Sequence, residues 1–216
     1  MKPWTDTAAV GKPAPRIDAF ERVTGTAVYA LDLQLPGMLH AAIVRCPHAH
    51  ARVKRVDMEK ARKMPGVRAV LTADSPDAQV PWYAGEKGPV STLFDRHCRY
   101  EGEEVAAIAA DTEVQARDAA RAVVVEYEEL PFVIDPLEAL KPGAPEVLGP
   151  GNRAGAPEVY NRGDVKTGFA DADIVVEQEF TTSCQLHVPM EVHGSVAQWE
   201  GNRLTVWDTT QGVFDI

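Results

Sequence analysis

Three side chains that could bind a metal lie close together in the first quarter of the 216-residue chain, at Cys46, His48 and His50. Cysteine and histidine are good zinc and copper ligands. If the segment is extended, positions 46, 48 and 50 share one face. No second ligand cluster accompanies them, so the pattern favours a strand end with polar side chains. A small zinc or copper protein is the alternative.

A second set of reactive groups has the spacing His-x₃-Glu-x-His, formed by His187, Glu191 and His193 beside Pro189. A histidine with a carboxylate nearby can act as a general base with an orienting partner. The spacing differs from the HExxH zinc motif. The chain also lacks the G-x-S-x-G, P-loop and G-x-G-x-x-G patterns, so neither a hydrolase nor a nucleotide fingerprint is present.

A third candidate group is Thr209-Thr210-Gln211-Gly212, which follows an apolar segment and reads as a strand end. The Gln211 amide has two N–H donors and one acceptor oxygen, so it can hydrogen-bond a ligand. From spacing alone, the favoured interpretation is a polar residue that ends a strand.

These groups must be positioned by regular elements, which the hydrophobic patterns predict. Helices are predicted over 57–63 and over 113–122, the second with an N-cap at Thr112 and a capping box to Gln115. A β-hairpin is predicted around the Gly201-Asn202 turn. The predicted strands are 25–32, 39–45, 53–56, 67–72, 105–110, 123–127, 196–199 and 204–208, and a long loop is predicted over 73–92. This mixture indicates an α+β fold.

The predicted domain organisation follows from where proline and glycine accumulate. Residues 1–15 are a flexible lead-in, 16–140 form one α+β domain, and 141–163 are a Pro/Gly-rich linker. Residues 164–216 read as the beginning of a second, incomplete domain.

Composition narrows the functional class. The chain has 22 Lys and Arg against 32 Asp and Glu, a net charge of −10, which argues against nucleic acids or anionic membranes as partners. The basic residues over 51–68 lack interleaved aromatic side chains and indicate a solvated surface. No apolar run has the length of a membrane span, and no signal-peptide pattern is visible. Three cysteines without a CxxC pair favour a reducing compartment, so a cytoplasmic location is predicted.

The chain as a whole resembles the large subunit of the xanthine dehydrogenase / aldehyde oxidase family. The resemblance begins with Arg16–Asp32 and Leu35–Leu39 and covers nearly all of residues 11–216. Further motifs follow in the family's order: Arg45–Arg52, Pro65–Thr72, Tyr100–Ala106, Val125–Pro131, Gly163-Asp164, His187–Gly194 and Trp207–Gly212. So many collinear motifs make the resemblance specific.

The resemblance implies that residues 16–140 are the family's a/b hammerhead domain and that the molybdopterin-binding domain begins near residue 160. In the family, the glutamine of an S/T-T-Q motif lies beside an oxo ligand of the molybdenum, and Gln211 matches it. The resemblance thus implies cofactor-binding roles for Gln211 and the adjacent Gly212. Glu191 and His193 also match a family motif, which supports this strand region without making them catalytic groups.

The implied enzyme oxidises an aldehyde, an N-heterocycle or an aromatic acyl-CoA with a molybdenum–molybdopterin cofactor, expected in its cytosine dinucleotide form. Iron–sulfur clusters and FAD are expected on partner chains or domains. The family's Gly-rich cofactor loop and catalytic glutamate come after the S/T-T-Q strand, so no catalytic residue is expected within residues 1–216. The chain is expected to be an N-terminal portion or a split subunit, inactive alone. Hydroxylation and reductive dehydroxylation both remain open, and a non-catalytic assembly module is the alternative.

Overall fold

The computed structural model describes residues 9–82, 91–153 and 155–212. The helices are α1 (Ala19–Thr24), α2 (Glu59–Arg62), α3 (Glu113–Arg121), α4 (Pro136–Ala139) and α5 (Val165–Ala170). The strands are β1 (His40–Arg45), β2 (Ala51–Asp57), β3 (Val67–Thr72), β4 (Pro81–Trp82), β5 (Ser91–Thr92), β6 (His97–Cys98), β7 (Glu104–Ala110), β8 (Val124–Glu129), β9 (Ser195–Glu200) and β10 (Arg203–Asp208). Among these elements no helix has the length and apolar character that a bilayer span requires.

The described residues form two compact units. One consists of Gly37–Val175. The other combines residues 9–36 with residues 176–212. The predicted lead-in, residues 1–15, is described only from residue 9. Residues 83–90 of the predicted long loop over 73–92 also lie outside the described residues. The predicted boundaries at 140 and 163 remain predictions.

The Gly37–Val175 unit is built on two antiparallel three-stranded sheets, with strand orders β1-β7-β3 and β6-β2-β8. Strand β7 is central in its sheet because its small apolar side chains can be covered on both faces. Its residues Val105, Ala106 and Ile108 are all at most 2% exposed. The core has two apolar clusters, one around Cys46, Ala51, Val53, Cys98 and Val105 and one around Met58, Ala61, Ala106, Ile108 and Ala119.

Helix α3 packs on the β1-β7-β3 sheet through a stripe of small side chains, as its sequence predicts. Ala116 and Ala119 are fully buried. The predicted N-cap is present, because the Gln115 backbone N–H donates to Thr112 Oγ1 over 3.2 Å. The methyl-sized stripe allows the helix to lie close to the sheet.

The prediction of a strand over 25–32 is wrong. Residues 26–29 have no regular structure, and Ala30–Asp32 form a 3₁₀ turn. The Tyr29 backbone N–H donates to Asp32 Oδ2 over 3.0 Å, and the Asp32 N–H donates back to the Tyr29 carbonyl over 2.9 Å. An aspartate that satisfies the backbone locally competes with strand pairing, which the apolar pattern alone does not reveal.

Candidate functional site

The predicted hairpin carries the Thr209–Gly212 group at its open end. Strands β9 and β10 pair in antiparallel register, with Ser195 opposite Asp208. The Ser195 hydroxyl donates to the Asp208 carboxylate, and the Thr209 N–H donates to the Gly194 carbonyl over 3.1 Å. The pairing thus continues one residue beyond the strand, so the backbone leading to Gln211 is held.

The segment 187–194 lies alongside this strand end and places the second set of predicted residues next to Gln211. Gln211 Nε2 is 2.8 Å from His187 Nε2. Thr209 Oγ1 is 3.5 Å from Glu191 Oε1, and the His187 and His193 rings are edge to face with centroids 6.4 Å apart. The fold therefore brings together two groups that the sequence presents as separate candidates.

The backbone at this site departs from ordinary geometry at one residue. Val188 has a φ of 37°, although it is β-branched and precedes Pro189. Both properties disfavour the left-handed region. The unusual turn directly follows His187. The Gly212 N–H donates to Thr210 Oγ1 over 3.0 Å, which closes the turn that carries Gln211.

A cleft of about 570 Å³ in the same unit is lined by Arg22, Tyr29, Glu191 and Trp207 among others. Arg22 Nε is 2.6 Å from Asp18 Oδ2, and its guanidinium carbon lies 5.7 Å from the centre of the Tyr29 ring. Hydrogen bonds from Arg16 and Arg22 hold the pKa of Asp18 well below its usual range. The Asp18 hydrogen bond, followed by the charges of nearby groups that include Glu191, raises the pKa of Arg22. Sequence spacing alone offers no signal that Arg22 and Glu191 line one cleft.

The Cys46–His50 segment is not an extended strand, because residues 47–50 form an irregular turn between β1 and β2. The alternation that would place its three candidate ligands on one face therefore does not apply here. Cys46 is buried and its thiol donates to the His48 carbonyl over 3.6 Å. The His48 ring packs against Tyr127, 5.0 Å between centroids. Within the described ranges no three His, Cys, Asp or Glu side chains are arranged to hold a metal ion.

His50 is instead paired with a histidine that the sequence did not single out. His50 Nε2 is 2.6 Å from His97 Nε2, and His50 Nδ1 is 2.6 Å from the Pro131 carbonyl oxygen. A carbonyl only accepts, so His50 Nδ1 donates, and in the neutral pair His97 supplies the shared proton. Burial, together with the positive charge of Arg99, lowers the pKa of His97. The two residues are 47 positions apart, and only the pairing of β6 with β2 brings them together.

Comparison with known proteins agrees with this architecture. Residues 24–131 match the family model described as "Aldehyde oxidase and xanthine dehydrogenase, a/b hammerhead domain". Residues 149–216 match the "Molybdopterin cofactor-binding domain" model. The two matches define a class of molybdopterin-dependent oxidoreductases.

Similar proteins narrow the class to a family. The carbon monoxide dehydrogenase large chain of Hydrogenophaga pseudoflava is 37% identical over 88% of this chain and 26% of its own length. The nicotinate dehydrogenase large molybdopterin subunit of Eubacterium barkeri is 32% identical over 95% of this chain and 48% of its own length. Quinoline 2-oxidoreductase from Pseudomonas putida 86 superposes with a TM-score of 0.74 and 33% identity, over 93% of this chain and 27% of that structure.

This chain belongs to the aldehyde oxidase and xanthine dehydrogenase family. The predicted family and the predicted α+β fold with a hammerhead domain are confirmed. The chain spans between about a quarter and a half of the length of the relatives named above. Homology to molybdenum hydroxylase large subunits favours part of such a subunit over the alternative of a non-catalytic assembly module.

Proposed function

We propose that the chain supplies the hammerhead domain, over 16–140, and the first part of the molybdopterin-binding domain, from 164, to the large subunit of a molybdenum hydroxylase. The linker 141–163 connects the two. The observation that carries the proposal is the position of Gln211 three residues after the end of β10, inside the segment that matches the cofactor-binding domain. Because the chain spans about a quarter of the length of several relatives, we expect it to be inactive by itself.

The side chains at this strand end fit a molybdenum cofactor as a hydrogen-bonded ligand. Gln211 presents an exposed amide, which can donate to the oxygen-rich surface of such a group. Gly212 follows it and has no side chain to obstruct a close approach. When bound, the cofactor supplies the two-electron oxidation of the substrate. In this proposal Gln211 binds and orients the cofactor, and no group within the chain transfers a proton.

The proposed substrate is an aldehyde, an N-heterocycle or an aromatic acyl-CoA. Similarity to quinoline 2-oxidoreductase and to a nicotinate dehydrogenase subunit supports the N-heterocycle among these. The cytosine dinucleotide form of the cofactor is part of the proposal. Iron–sulfur and FAD groups on partner chains or domains would accept the electrons.

The test is co-production of the chain with the remainder of the large subunit and its electron-transfer partners. We expect the purified assembly to contain molybdenum by elemental analysis and to oxidise quinoline, an aromatic aldehyde or an aromatic acyl-CoA with a dye as electron acceptor. Gln211→Ala should lower kcat by about tenfold or more, the usual effect of losing a group around a metal centre. Gln185→Ala, which changes another exposed glutamine, is the matched control.

Two results would contradict the proposal. A folded, complete assembly that contains no molybdenum would remove the cofactor role. Equal kcat values for Gln211→Ala and Gln185→Ala would remove the role of Gln211.

A further inference from the structure

We infer that His187 is a positioning residue for Gln211, because it fixes which end of the Gln211 amide is turned toward a bound group. The inference rests on the proposed function, since it gives Gln211 a ligand to face. Its central observation is the 2.8 Å distance between Gln211 Nε2 and His187 Nε2. Both atoms are nitrogens, and this restricts the possible hydrogen-bond roles.

An amide nitrogen only donates, so His187 Nε2 must be the acceptor. His187 Nε2 therefore carries a lone pair, and the hydrogen of the ring is on Nδ1. The amide uses one N–H on His187 and keeps the second N–H and Oε1. In the part of the chain that the structure describes, Gln211 makes no other side-chain hydrogen bond.

The bond prevents a half-turn of the amide. The terminal torsion of a glutamine is broad and roughly two-fold, so an unrestrained amide presents its nitrogen or its oxygen in turn. While His187 is the Nδ1–H tautomer, a half-turn would bring Oε1 against its Nε2 lone pair, and two acceptors would then be in contact. In that tautomer His187 selects one of the two amide orientations.

The same segment also holds the backbone that carries Gln211. The Thr209 N–H donates to the Gly194 carbonyl over 3.1 Å. Thr209 Oγ1 lies 3.5 Å from both Glu191 Oε1 and the Val192 carbonyl oxygen. Segment 187–194 thus restrains the strand end through Thr209 and the amide through His187. Both restraints are needed to orient the amide relative to a ligand.

The first experiment measures the orientation in the full 216-residue chain without cofactor, by ¹⁵N NMR at pH 8. We expect the ring nitrogens of His187 to report the Nδ1–H tautomer. His187→Leu should shift the Gln211 side-chain NH₂ resonances and leave those of Gln185 in place. His187→Gln places an amide oxygen near the position of Nε2 and should preserve the Gln211 pattern. Leu186→Ala changes an exposed neighbour and is the control for general disturbance.

Either of two NMR results would overturn the inference: an Nε2–H tautomer of His187, or Gln211 resonances that are the same in His187→Leu and Leu186→Ala.

The second experiment measures turnover in the assembled holoenzyme. His187→Leu should lower kcat by about tenfold, with molybdenum content unchanged, because a partner that orients a ligand-facing group has an effect of this size. His187→Gln should recover most of the loss, which a merely structural role would not produce. Equal kcat in His187→Leu and His187→Gln, when Gln211→Ala is impaired, would overturn the positioning role alone. An unimpaired Gln211→Ala would instead overturn the proposed function of Gln211 and, with it, the need for an orienting residue.

Discussion

The two units of the molecule differ in how they are held together. Every described residue that is buried lies between Cys46 and Ala119, in the Gly37–Val175 unit. In the other unit, large apolar side chains remain exposed, including Phe180 at 81% and Leu186 at 86%. That unit is ordered mainly by the β9–β10 hairpin and by polar contacts at its open end.

Because of this difference, the residues that stabilise the fold and the residues of the candidate site lie in different units. The Gly37–Val175 unit, which holds most of the hammerhead match and is the hammerhead unit below, has two apolar clusters with paired strands around them. Such clusters provide most of the free energy of folding. The strand end with Gln211 has hydrogen bonds between exposed groups, whose net contribution to stability is small. Mutations should therefore affect folding in the first unit and ligand chemistry in the second.

The largest effect on stability is expected from Ile108→Ala. Ile108 is 1% exposed in the central strand β7, and truncation would leave a cavity between the sheet and α3. We expect the free energy of unfolding to fall by about 2–5 kcal/mol, measured by urea denaturation with circular dichroism. The matched change in the other unit is Val206→Ala, at a residue that is 49% exposed in β10. Its expected cost is under about 1 kcal/mol, and equal costs would contradict the comparison.

Sequence patterns predicted the parts of the fold that depend on local interactions. Helix α3 follows from the Thr112 cap and its alanine stripe, and β3 covers the predicted residues 67–72. The 25–32 segment was predicted wrongly because its apolar residues find no partner strand among the described residues, and the Asp32 carboxylate closes a local turn instead. Periodicity reports which face could be buried, and not whether another strand will bury it.

The sequence predicts which residues belong to the candidate site but not which of them are in contact. His187 and Gln211 were identified separately, one from its spacing to a glutamate and one from a family motif. Their hydrogen bond joins residues 24 apart and depends on the hairpin between them. His97 gave no signal at all, since its partner His50 is reached only through strand pairing across 47 residues. Contacts of this kind follow from topology, which one sequence does not encode in any local pattern.

A lower pH should destabilise the hammerhead unit through the His50–His97 pair. Because burial lowers the pKa of His97 in the folded state, the unfolded chain takes up a proton that the folded chain excludes. This contribution to stability is complete above the unfolded pKa of about 6.5 and is lost as the pH falls below that value. We expect chemical denaturation to show decreasing stability as the pH falls from about 7 to about 5.

His97→Gln separates this effect from general acid destabilisation. Its side-chain amide can still donate to His50 Nε2 but does not titrate. The free energy of unfolding should depend less steeply on pH in this variant than in the natural chain. Equal slopes would show that the histidine pair is not the source of the acid sensitivity.

The smallest effect on stability is expected at the candidate site itself. Gln211 is exposed, and its described side-chain contact is one hydrogen bond to His187, another exposed residue. Gln211→Ala removes that bond without leaving a buried group unpaired, so the change in the free energy of unfolding should be within about 0.5 kcal/mol in urea denaturation. Thr210→Ala, which alters the adjacent turn residue, is the matched control for disturbance of the strand end. A loss above about 2 kcal/mol in Gln211→Ala would show that the amide is structural. The distinction between a unit that provides stability and a candidate site that contributes little to it would then fail at Gln211, the residue on which it chiefly depends.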